Sequence, residues 1–253
     1  MKLDVTGQGP TLVYLHDWGF RGQSWGRQVE YFRPRFRNVV VDYNMDYIAP
    51  DRTHEGLFDD LCGSLLEALG PGDAAPLAVL AHGFGAFLAY ELMERGLTPQ
   101  RLVLMGGLVR FTNAEGYLSG LPPERVSVMR KALHEDPLEM VRRYYHFAFS
   151  GNGESTPDEV AQALPFQALD FLKLAFDTLI SHDYAEVIPR LPCRALIVQG
   201  EDDRISPVWQ GELLRKLLRD STFYLCKGAG HAPFLTHYAA VNRRVDQFLE
   251  AQG

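Results

Sequence analysis

Short, uninterrupted runs of apolar and β-branched residues constrain this chain more than any other feature of its sequence. They are Thr11 to His16, Asn38 to Asp42, Leu77 to Ala81, Arg101 to Met105, Ala195 to Gln199 and Thr222 to Leu225. Because they show little polar alternation, they read as strands buried on both faces, as in a parallel sheet held between helices. Lys2 to Val5 adds a candidate edge strand. Helix-length segments lie between the runs: Thr53 to Leu69, opened by Thr53 and closed by Gly70-Pro71, then Phe84 to Arg95, Val208 to Leu218 and Ala239 to Glu250. This alternation predicts an α/β fold with a mostly parallel sheet flanked by helices.

The rhythm breaks once. From Leu108 to Pro192 the pattern is helical, interrupted at Pro122-Pro123, Ser150-Gly151-Asn152-Gly153 and Pro165. The expected organisation is therefore a core of residues 1–107 and 193–253 with a helical cap of 108–192. The insertion is rich in aromatics, among them Tyr144, Tyr145, Phe147, Phe149, Phe166, Phe171 and Phe176. An amphipathic helix needs such a stripe for its own packing, and a lid would spend the remainder lining an apolar pocket. A chain of 253 residues is long enough for one large unit with such a lid.

Charge excludes several function classes. Twenty-five Lys and Arg against 32 Asp and Glu leave a net charge of −7, which disfavours nucleic acid and anionic membrane surfaces as partners. No run approaches the roughly 20 apolar residues of a membrane span. The three cysteines, Cys62, Cys193 and Cys226, are widely spaced, so neither a disulfide framework nor a zinc site is expected. No metal or cofactor is expected either. The start of the chain turns polar at Asp4 and Gly7 where a secretory signal would continue apolar, which points to a cytoplasmic protein.

In open α/β sheets the chemistry gathers at the carboxyl ends of the strands. Ala81-His82-Gly83-Phe84-Gly85-Ala86 packs small residues around a sharp strand-to-helix turn, the shape of a G-x-S-x-G nucleophile elbow. Gly200-Glu201-Asp202-Asp203-Arg204-Ile205-Ser206-Pro207 follows one later strand and Gly228-Ala229-Gly230-His231-Ala232-Pro233 follows the last. The order of elbow, acid and histidine is that of a hydrolase triad, in which the carboxylate orients the imidazole and the imidazole takes the nucleophile's proton. Leu15-His16-Asp17-Trp18-Gly19 ends the second run, where a backbone N–H would face a developing oxyanion.

On these motifs the sequence resembles the α/β hydrolases, and among them the carboxylesterases that cleave pimeloyl-acyl-carrier-protein methyl ester in biotin synthesis. The resemblance runs over nearly the whole chain. It implies that Asp203 is the triad acid, His231 the triad base, and the backbone N–H groups of Trp18 and Phe84 the oxyanion donors. It also implies a small acyl ester, or one tethered to acyl carrier protein, as substrate. Basic cap residues would then meet the acidic carrier, and Arg125, Arg130, Lys131, Arg142 and Arg143 are the candidates. Glu124, Glu135, Asp136 and Glu139 are interleaved with them, so a solvated mixed-charge face accounts for the same pattern.

The departures carry more weight than the matches. The nucleophile position holds Gly83, Asp17 follows His16 where the resemblance leads one to expect glycine, and the loop from Asp42 to Tyr47 lacks the expected proline and glycine. Losing a serine nucleophile costs on the order of 10⁶ in rate, about 8 kcal/mol. An ionised Asp17 roughly 5 Å from an oxyanion would add about 3 kcal/mol of repulsion. A working serine esterase is therefore not expected. Asp17 is either a site acid or else a solvated loop acid or the cap of a short helix near Ser24, while His82 and Cys62 read as packing residues. Gly83 is either a laboratory inactivation or, with Asp17 as companion change, natural divergence. Divergence leaves a ligand-binding pseudo-hydrolase or a non-hydrolytic enzyme using His231 and Asp203 as general base.

Overall fold

The computed structural model describes residues 1–43, 53–54, 56–70, 75–114, 120–149 and 168–251. The strands β1 (Lys2–Thr6), β2 (Thr11–Leu15), β3 (Arg37–Asp42), β4 (Ala78–His82), β5 (Arg101–Met105), β6 (Arg194–Gly200) and β7 (Ser221–Cys226) form one seven-stranded sheet. Its order is β1-β3-β2-β4-β5-β6-β7, with β1 antiparallel to β3 and every other pair parallel. Each expected run is a strand. The central β4 is buried at all five positions, whereas the edge strands β1 and β7 are largely partly exposed, as strands with one unpaired side must be.

The helices of the layered core are α1 (Gly26–Phe32), α2 (Leu57–Leu69) and α3 (Phe84–Glu94). Between β5 and β6 come α4 (Pro123–Glu135), α5 (Pro137–Ala148) and α6 (Leu169–Ser181), followed later by α7 (Val208–Leu217), the short α8 (Pro233–Thr236) and α9 (Tyr238–Glu250). The main departures from expectation are one boundary and one additional helix. Helix α2 begins at Leu57 and not at Thr53, with Asp59 and Asp60 in its first turn opposite the helix dipole. Helix α1 follows a single 3₁₀ turn at Gly22–Trp25 and has only seven residues, too few to print a 3.6-residue period in the sequence.

The segment between β5 and β6 is helical where it is described, with single bridges pairing Arg110 to Asp183 and Thr112 to Leu121. Pro123 opens α4 and Pro137 opens α5, where a missing N–H costs nothing; the Asp136 side chain caps α5 by accepting the Glu139 N–H. The expected breaks at Ser150–Gly153 and Pro165, the aromatic Phe166 and the loop residues 44–47 lie outside the described residues, as does Pro71. Tyr144, Tyr145, Phe149, Phe171 and Phe176 are buried, whereas Phe147 is 44% exposed. All three cysteines are buried and none is in a disulfide, and burial pushes the Cys62 thiol up to about 12, so it sits in the core as expected. No helix among the described residues is long and apolar enough to cross a membrane.

Candidate active site

Strand β4 ends at His82 and α3 begins at Phe84, leaving Gly83 to make the whole turn. It does so at φ 50° and ψ −113°, a conformation that side-chain-bearing residues rarely adopt. Gly85 serves the same turn by another route. A Cβ there would meet the Leu15 carbonyl oxygen at 2.5 Å, so only glycine lets the first turn of α3 lie against the end of β2.

That contact brings the two loops together. Asp17 follows β2 and is 3% exposed, so it is neither a solvated loop acid nor the cap of the 3₁₀ turn, whose N-cap residue is Arg21. Its Oδ1 accepts the Trp18 N–H at 2.7 Å and the Phe84 N–H at 2.5 Å. These are the two donors singled out for an oxyanion, and the carboxylate occupies their focus. The expectation of an acid standing some ångströms from the oxyanion is corrected accordingly: Asp17 sits in its place. Its Oδ2 accepts the Tyr144 hydroxyl from α5 and lies 3.1 Å from His231 Nε2.

His231 and Asp203, on the loops after β7 and β6, are paired through Nδ1 and Oδ2 at 2.8 Å, both fully enclosed. Asp203 is itself held: Oδ1 accepts the Ile205 and Ser206 N–H groups at 2.8 Å each, and Oδ2 accepts Gln199 Nε2 at 3.2 Å. The His231 imidazole thus lies between two carboxylates. Burial pulls it down, but the charge of Asp203 and the hydrogen bonds to Asp17 and Asp203 outweigh burial and push its pKa up to about 10. Burial would raise Asp17, yet His82, His231 and Tyr144 together hold it at about 2. His82 is itself lowered by burial to about 3 and is neutral near pH 7, so the cation facing Asp17 is His231.

The sign of the linkage follows. With a folded pKa raised from 6.5 to about 10, His231 contributes stability that is complete below pH 6.5 and lost as pH climbs through 10. Asp17, depressed from 3.8 to about 2, contributes stability present above pH 3.8 and lost as pH falls through 2. Imidazole NMR of the parent should therefore show one histidine still charged at pH 8. In Asp17→Asn its midpoint should move down; an unchanged midpoint would contradict the ion pair.

His82 Nε2 donates to the His231 carbonyl at 3.1 Å and its ring packs against His231 and Phe234, the packing role expected of it. Asp17, His82 and His231 place one ligand atom each within 4.8 Å of the others. Both Asp17 oxygens and both His231 nitrogens are already hydrogen-bonded, so a cation there would have to displace those contacts. A cavity of about 20 Å³, room for about one water, adjoins Asp17, Gly83 and His231, with apolar walls from Trp18, Phe84, Leu108, Phe111, Met140 and Phe176.

Three residues of the site have no signature in the sequence. Tyr144 is one of many aromatics in the insertion. Gln199 closes a strand and steadies Asp203. Gly106, at φ 54°, makes room for the imidazole, since a Cβ there would lie 2.6 Å from His231 Nδ1. Of the basic candidates on the insertion, Arg130 pairs with Asp177, Lys131 with Glu135 and Arg143 with Glu139, while Arg125 and Arg142 are exposed.

Strand order, flanking helices and an acid–histidine pair at the strand ends define an esterase-like α/β hydrolase. The family model for alpha/beta hydrolases matches residues 12–244, and the chain belongs to that family. The pimeloyl-[acyl-carrier protein] methyl ester esterase of Vibrio vulnificus is 27% identical over 91% of this chain and 90% of its own. That of Chromobacterium violaceum is 26% identical over 99% and 98%. Among solved structures, an esterase from Exiguobacterium antarcticum superposes with a TM-score of 0.87 at 17% identity, covering 98% of this chain and 95% of that one. A bromoperoxidase from Bacillus anthracis gives 0.85 at 17% identity with the same coverage. At such identity the two structures speak for the fold alone.

Proposed function

We propose that this chain is a cytoplasmic enzyme that keeps the cleft of the carboxylesterases but works without a serine nucleophile, with Asp17 and His231 as its reactive pair and Asp203 orienting the imidazole. Gly83 stands at the nucleophile position. The carrying observation is the Asp17 carboxylate lodged between the Trp18 and Phe84 N–H groups and His231. Buried charges are costly unless paired, and a buried carboxylate–imidazolium–carboxylate array at the mouth of an apolar cleft is the kind of perturbed cluster that acid–base catalysis uses. The apolar walls and the esterase relatives support an apolar acyl-chain substrate, free or tethered to acyl carrier protein. Asp17 filling the space beside Gly83 favours divergence over a single laboratory change.

A panel of aryl esters, lactones and epoxides, assayed with parent and His231→Ala, tests this reading. Turnover on some member should fall by roughly 10² to 10⁴ in the variant, the usual worth of a general acid or base. Equal rates across the panel would refute it. A serine-directed sulfonyl fluoride should leave the parent's site unlabelled.

One observation favours a second reading, a ligand-binding pseudo-hydrolase: the Asp17 carboxylate is satisfied internally and the cavity is small. On that reading His231→Ala keeps its affinity for acyl ligands in calorimetry and the parent shows no turnover.

A further inference from the structure

Asp17, His82 and His231 converge from three strand ends, and all three side chains are enclosed. Asp17 Oδ2 is 3.1 Å from His231 Nε2 and 4.0 Å from His82 Nε2, and one ligand atom of each residue lies within 4.8 Å of the others. In a tetrahedral zinc centre, donors at about 2.0 to 2.1 Å from the ion stand about 3.3 Å apart. The Asp17–His231 pair already has that spacing, and His82 need close on Asp17 by only about 0.7 Å to reach it. The supporting contacts suit a metal too. Asp203 holds His231 Nδ1 at 2.8 Å, the carboxylate–histidine arrangement that presents Nε2 to a metal. The Trp18 and Phe84 N–H groups hold Asp17 Oδ1, which leaves Oδ2 as the ligand atom. Charge points the same way. Among the described residues the two buried carboxylates share a single cation, the His231 imidazolium, so the cluster encloses one uncompensated negative charge. A dication that displaces one proton cancels it, and buried charge is costly until compensated.

We propose that Asp17 Oδ2, His82 Nε2 and His231 Nε2 form a zinc site, the ion taking the place of the proton held between Asp17 and His231. His231 gives up its Nε2 proton to solvent and keeps its Nδ1–H on Asp203. The His82 ring proton passes from Nε2 to Nδ1, an atom with no hydrogen bond to lose among the described residues. Binding costs the His231 carbonyl its His82 donor. The Tyr144 hydroxyl exchanges Oδ2 for the water that completes the metal's shell. The cavity of about 20 Å³ beside Asp17, Gly83 and His231 has room for that one water. Two imidazoles and a carboxylate disfavour calcium and magnesium, which seek oxygen donors. The same donor set serves non-haem iron, but iron sites of that kind keep several positions open, and a single water place fits four-coordinate zinc. Because the ion takes Oδ2 and Nε2, the zinc-bound form and the acid–base form of the pair exclude each other, and zinc switches the acid–base pair off.

The test is metal binding by the full chain, read without turnover. Parent protein stripped with a chelator, incubated with zinc chloride and desalted should retain one ion per chain in native mass spectrometry and gain in Tm. Its zinc-edge X-ray absorption should show two imidazoles together with oxygen donors, and the cobalt-substituted protein should show the strong visible bands of four-coordinate Co(II). Asp17→Asn and His82→Gln should each lose the retained ion, and Asp203→Asn should bind zinc about 10- to 100-fold more weakly. No retained ion, or equal retention by parent and both ligand variants, would overturn the proposal. So would an all-oxygen or single-imidazole spectrum from the parent, a result that holds even where the variants fail to fold. The substrate panel, run on chelator-treated protein, judges the acid–base reading separately.

Discussion

Gly83→Ser alone should not create a serine esterase, whereas Asp17→Gly combined with Gly83→Ser should. A Cβ on Gly83 would land within the Asp17 carboxylate, against its Cγ and both oxygens, so a serine there has no space while Asp17 holds its present rotamer. The obstruction is also electrostatic. Even a serine accommodated by a shift of Asp17 would attack a carbonyl whose oxyanion donors are already taken. Removing the carboxylate frees the Trp18 and Phe84 N–H groups, returns His231 Nε2 to the nucleophile, and leaves the Asp203 pairing at 2.8 Å untouched. A serine hydrolase owes on the order of 10⁶ in rate to its nucleophile and triad, and a reassembled but unrefined site should recover a part of this, about 10³ over the parent on short aryl esters. Gly83→Ser should also unfold earlier than the parent by roughly 1 to 3 kcal/mol, the range of overpacked cores. Equal esterase gains in the single and double variants would refute the coupling of the two positions.

How much of this was legible in sequence depends on how local each signal is. The strands were plain because a parallel strand covered on both faces is written in consecutive residues: Leu12 to Leu15 and Ala78 to His82 are buried throughout. The acid and the histidine were equally plain, since each sits in a loop directly after its strand. What the sequence could not carry is the meeting of distant loops. Asp17 touches Phe84, 67 residues away, and Tyr144, 127 residues away, and nothing near Asp17 distinguishes an acid turned into the sheet's end from one turned to solvent. The sequence alone implies repulsion at a distance, whereas the carboxylate sits between the Trp18 and Phe84 N–H groups. Gly106 is hidden for the same reason, being defined by the His231 imidazole from the loop after β7, whereas Gln199 supports an acid only four residues further on.

Asp17→Gly by itself should be destabilised, and a small carboxylate in solution should restore part of the loss. The substitution removes one member of a buried ion pair together with the acceptor of two backbone N–H groups and a tyrosine hydroxyl. Breaking a buried pair from one side typically costs about 3 to 5 kcal/mol, though water entering the vacancy and the remaining Asp203 partner pull the figure toward the lower end. For a chain of this size that corresponds to a fall in Tm of about 10 °C. The vacancy has the shape and donor set of a carboxylate: two N–H groups for one oxygen, an imidazolium and a hydroxyl for the other. Formate or acetate should therefore raise the Tm of Asp17→Gly, by the equivalent of about 2.7 kcal/mol when present at a hundredfold excess over Kd, and sodium chloride at equal ionic strength should not. The parent, whose site is already filled by its own side chain, should show no such response. A variant as stable as the parent, or one indifferent to acetate, would mean that the four hydrogen bonds around Asp17 contribute little and that its carboxylate is not held in the hole in solution.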